Sequence, residues 1–156
     1  MSDATTKGGQ NTIDESAIPT VPHIFNEAVR THGAMPALES FGKRMTYAQM
    51  GEASRAVTSW LQAQGFVKGD RIALMMPNVM AYPPLIFGVL AGGYVVVNVN
   101  PLYTPRELTH QLKDSGARAL FVLENFGKTV EETVKAVKLD RIVLVTPGDL
   151  LGLKGK

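Results

Sequence analysis

Apolar positions in this chain fall first at helical spacing and then in short runs of strand length. Ile24, Phe25, Ala28 and Val29 predict a helix over His23–His32, followed by Gly33 as a suitable residue to end it. Ala37–Phe41, the turn Gly42-Lys43 and then Arg44-Met45 predict two short strands. Thr46 with Gln49 three residues on is a capping box. The helix it opens places Met50, Ala53, Val57, Trp60 and Leu61 on one face and closes at Gly65, with Trp60 expected in the core.

From Arg71 onward the rhythm changes to strand, helix, strand. Strands are predicted over Arg71–Met76, Tyr94–Val99, Ala117–Leu123 and Arg141–Val145. The intervening helices are predicted over Val79–Leu90, over the segment from Thr104 to Gly116, and over Phe126–Lys138. Tyr82-Pro83-Pro84 pushes the effective start of the first of these to Pro83, since proline suits only a first turn. Thr104-Pro105-Arg106-Glu107 meets three rules for a helix start, with Leu108 and Leu112 facing inward. Val130, Val134 and Val137 are expected on one side of the last helix. Tyr94–Val97 shows no alternation, which predicts a central strand. This order predicts an α/β fold: a mostly parallel sheet with right-handed crossovers and helices on both faces.

Ile72–Pro105 contains no Asp, Glu, Lys or Arg. A run that long raises a membrane span, but Pro77-Asn78, Pro83-Pro84, Gly92-Gly93 and Asn100-Pro101 divide it into pieces too short to cross a bilayer. Strands covered on both faces account for it better. The 156 residues suit one domain, 45% hydrophobic and 19% charged, with a formal net charge of +2. No basic patch interleaves with aromatics, which argues against nucleic acid. The chain has no cysteine, so disulfides, thiolate metal sites and a Cys nucleophile are excluded, and a reducing cytoplasm fits. Residues 1–19 are expected to be a disordered polar tail, 20–147 an α/β subdomain and 148–156 an irregular tail. Lys7-Gly8-Gly9-Gln10 shares only its glycines with a phosphate loop.

Several segments, in order, resemble one family. Met45-Thr46-Tyr47-Ala48-Gln49-Met50 is similar to an early block of the adenylate-forming enzymes. Gly69–Leu74 with Pro77-Asn78, and then Gly88–Asn98, are similar to the next blocks of those proteins. Val99-Asn100-Pro101-Leu102-Tyr103-Thr104-Pro105-Arg106-Glu107-Leu108 resembles the bacterial long-chain fatty acyl-CoA synthetases, and Ser115–Leu120 completes the run. The resemblance implies an incomplete N-terminal part of a larger adenylate-forming domain. It also implies an AMP-forming ligase that uses ATP, magnesium and coenzyme A to carry a fatty acid through an acyl-adenylate to acyl-CoA. Such chemistry needs a Gly/Ser/Thr-rich loop with a lysine to grip phosphates. No such loop occurs between Met1 and Lys156. The resemblance therefore assigns this chain no catalytic, cofactor-binding or metal residue and leaves substrate binding open. The polypeptide is expected to be inactive alone and to self-associate. The whole protein is expected in the cytoplasm, with peripheral contact at the inner membrane left open.

Several polar and aromatic residues suit plain structural roles. Asn98 and Asn100 end a strand where open α/β sheets place ligand groups, but satisfying strand-end backbone groups and forming the turn before Pro101 is the favoured role. Tyr103 is expected to pack. His23, His32 and His110 share no metal spacing. Asp70 suits a turn into a strand, and Arg106 with Glu107 suits a solvated, capped helix start. Glu131, Glu132, Lys135 and Lys138 offer ion pairs on a solvated helix face. Three alternatives remain: a flavodoxin-like small-ligand module with a site near Asn98–Thr104, a medium-chain or aryl ligase fragment, and a membrane-inserted hairpin.

Overall fold

The computed structural model describes residues 19–149, so Lys7–Gln10, most of the polar N-terminal tail and Leu150–Lys156 lie outside the described residues. The elements run α1 (Val21–His32), β1 (Pro36–Ser40), β2 (Lys43–Thr46), α2 (Tyr47–Ala63), β3 (Arg71–Met75), α3 (Tyr82–Ala91), β4 (Val95–Asn98), α4 (Pro105–Ser115), β5 (Ala119–Leu123), α5 (Gly127–Thr133) and β6 (Arg141–Val145). β1 and β2 form an antiparallel hairpin. The other four strands form one parallel sheet in the order β4-β3-β5-β6.

The expected alternation of strand and helix from Arg71 to Val145 is present, with boundaries shifted by a few residues. α1 starts two residues earlier than the apolar spacing indicates, because the Thr20 hydroxyl accepts from the His23 N–H and Pro22 fills an early position that needs no donor. The hairpin turn is Phe41-Gly42, one residue before the expected pair, with both residues at positive φ. Both capping boxes form as expected, at Thr46 with Gln49 and at Thr104 with Glu107. Gly116 ends α4 in the left-handed region at φ 63°.

Four expectations need correction. β4 is an edge strand among the described residues, not a central one, because the connection after it crosses back over β3 to place β5 on the far side. Its outer residue Val95 is accordingly 45% exposed. Trp60 is not core: it lies 36% exposed, edge-on to Phe121 with ring centroids 5.8 Å apart. The buried face of α2 is instead Met50, Gly51, Ser54 and Leu61, where small residues admit α1 and α3 at close range. The last helix is shorter than 126–138. A single 3-10 turn (Glu124–Phe126) precedes α5, which stops at Thr133 and leaves Val134 39% exposed while Val130 stays buried. β-branched Thr129, Val130, Thr133 and Val134 are poor helix formers, and the Thr133 hydroxyl bonds back to Thr129 O at 2.8 Å. Among the described residues, Glu131, Glu132, Lys135 and Lys138 form no ion pair.

The parallel sheet is covered on both sides. Ile72, Leu74, Ala119 and Phe121 meet Leu61 of α2 and Leu85 and Val89 of α3. Ala73, Met75, Leu120 and Val122 meet Leu108 and Leu112 of α4 and Val130 of α5. Burying each of the larger side chains contributes about 1.5–3 kcal/mol. α1 and the hairpin form a third cluster around Phe25, Met45, Met50 and Met80, with Phe25 stacked on Phe87 at 4.0 Å. The charge-free stretch is thus accounted for by β3, α3 and β4. No helix among the described residues is long and apolar enough to cross a membrane.

Candidate functional site

In an open parallel sheet, ligands gather beyond the carboxyl ends of the strands, where connections leave in opposite directions. Here that switch lies between β3 and β5. The rim consists of Met76-Pro77-Asn78 after β3, Asn98–Thr104 after β4, Glu124-Asn125 after β5 and Thr146–Asp149 after β6.

Asn98 organises the β4 side of this rim. Its Oδ1 accepts from the Tyr82 hydroxyl of α3 at 2.8 Å, and its backbone carbonyl accepts from Gln111 Nε2 of α4 at 2.8 Å. Three elements are thereby tied at the end of one strand. Burial raises the Tyr82 phenol above its ordinary pKa, so it stays a protonated donor at neutral pH. Gln111 Oε1 is buried with no hydrogen-bond partner. Neither Tyr82 nor Gln111 stood out in the sequence. Gln111 carried a signal, since it follows Leu108 by three residues and precedes Leu112, which places a polar side chain beside the buried stripe.

Asn98, Asn100, Tyr103 and Glu107 all bond or pack locally. Asn100 Oδ1 accepts from the Leu102 N–H at 3.0 Å and shapes the turn around Pro101, as expected. The Asn98 side chain binds a phenol rather than a backbone group. Tyr103 packs on the Leu108–Leu112 cluster. Glu107 accepts from the Thr104 N–H and hydroxyl, both at 2.8 Å, and these bonds hold its carboxyl below its usual range. Along α4, Arg106, His110 and Asp114 border an open groove of about 810 Å³ with Tyr103 and Gln111.

Asp70 sits at the opposite, amino end of the sheet. It accepts from the Val67 N–H at 2.8 Å and from Arg118 at 2.5 Å, and Arg118 also reaches Asp140. The Arg118 hydrogen bond holds the Asp70 carboxyl below its ordinary value. This is a clamp across β3, β5 and β6, away from the carboxyl rim. His23 and His32 lie on α1 and His110 on α4. Among the described residues no group of three His, Cys, Asp or Glu could hold a metal ion. Among the described residues, the hydrogen bonds at this rim join amides, a phenol, hydroxyls, carboxylates and backbone groups, and no lysine or arginine bonds into it. It therefore does not fit a nucleotide triphosphate with its magnesium. The hydrogen bonds of Asn98, Asn100 and Gln111 position the backbone at the end of β4.

The sequence profile of the AMP-binding enzyme family matches residues 25–152. The chain belongs to the AMP-binding enzyme family. A long-chain-fatty-acid--CoA ligase of Salmonella typhimurium is 44% identical over 140 residues, covering 89% of this chain and 25% of the relative. One from Escherichia coli O6:H1 is 46% identical over 129 residues, covering 82% and 23%. The solved benzoate CoA ligase of Burkholderia xenovorans LB400 superposes with a TM-score of 0.77 at 24% identity, over 83% of this chain and 26% of that one. This AMP-binding enzyme chain thus spans about a quarter of the length of the curated relatives it matches. The likeness to the benzoate ligase shows the shared fold.

Proposed function

We propose that this polypeptide is the N-terminal scaffold of an AMP-forming long-chain fatty acid:CoA ligase, supplying a wall of the synthetase and none of its reacting groups. The supporting observation is the match to two long-chain ligases at 44% and 46% identity, across most of this chain but a quarter of theirs. In the whole protein, fatty acid, ATP with magnesium and coenzyme A are the substrates and cofactors, and the location is the cytoplasm, with peripheral contact at the inner membrane. An aryl or medium-chain ligase is the weaker reading, since the benzoate ligase shares only 24% identity. We further propose that the isolated chain self-associates, because a parallel sheet with apolar outer strands leaves edge and face unpartnered.

The test is fatty-acid-dependent ATP–pyrophosphate exchange on these 156 residues, with a longer reading frame from the same source as control. Exchange confined to the longer protein, strongest with long acyl chains, is the expected result. Exchange by the 156 residues alone would refute the scaffold reading, and exchange with benzoate but not palmitate would replace the substrate class.

A further inference from the structure

We draw no further inference here: the strongest candidate, the open groove along α4 bordered by Tyr103, Arg106, His110 and Asp114, meets the rim already described at Gln111, whose Oε1 is buried without a partner among the described residues, and nothing in the structure shows what covers it.

Discussion

At the scale of single residues, two positions decide how tightly the elements meet. Gly88 of α3 sits against α2 so closely that an added Cβ would lie 2.5 Å from Ser54 O and 2.7 Å from Val57 Cβ. Thr58 Oγ1 fills the remaining space by donating to Gly88 O at 2.6 Å. Gly88→Ala must therefore push two helices apart, and it is expected to cost about 1–3 kcal/mol or more. A urea midpoint equal to wild type would show that the helices part freely. Asp70 is the second position. Its carboxyl titrates below its unfolded value because Arg118 donates to it. Its stabilising contribution is thus complete above the unfolded pKa of about 3.9 and is lost as pH falls through the lower folded value. Asp70→Asn is expected to lower the melting temperature at neutral pH, with the gap to wild type closing below about pH 3.9. A gap constant from neutral to acid pH would mean that the Arg118 contact contributes nothing through charge.

At the scale of elements, the caps were the most legible features of the sequence. Thr46 with Gln49 and Thr104 with Glu107 begin their helices because each pair satisfies two otherwise unpaired N–H groups from within a few residues. Thr104→Ala is expected to cost about 1 kcal/mol in thermal or urea unfolding, and Thr104→Ser to restore most of it. Equal stability of the alanine and serine variants would show that Pro105 alone sets the start of α4. The end of α5 was not legible. The apolar spacing of Val130, Val134 and Val137 continued the helix on paper, but Val134 is 39% exposed and the chain tightens through Lys135 N–H to Glu132 O and Ala136 N–H to Thr133 O. The period of the pattern could not show that β-branched residues and a hydroxyl bonding its own turn would end the helix early.

At the scale of the whole molecule, the sheet sets the hierarchy of stability. β3 lies between β4 and β5, with Ile72 and Leu74 packed on one face and Ala73 and Met75 on the other. Its amides are expected to exchange most slowly with solvent, and those of β4 and β6, the outer strands among the described residues, faster. Uniform protection across β3 and β6 would contradict this order. The candidate site also belongs to this scale. Asn98 was visible at a strand end, whereas its partners Tyr82 and Gln111 come from 16 residues before and 13 residues after it. Only the crossover that brings α3 and α4 to the same end of β4 joins them.

The sequence by itself determined the alternation of strands and helices, their caps and their parallel pairing, because periodicity, capping chemistry and connection length act over a few residues. Its ordered blocks also determined the family. The tertiary structure decided which strand lies at an edge, which side of α2 is buried and which polar groups meet at the rim. Those outcomes depend on which element packs on which, and residues far apart in the chain settle them. Tyr94–Val97 is as apolar as a central strand needs to be, yet the crossover after β4 left it outside. Trp60 has the spacing of a core residue, yet close contact through Gly51, Ser54 and Gly88 turned it to the margin.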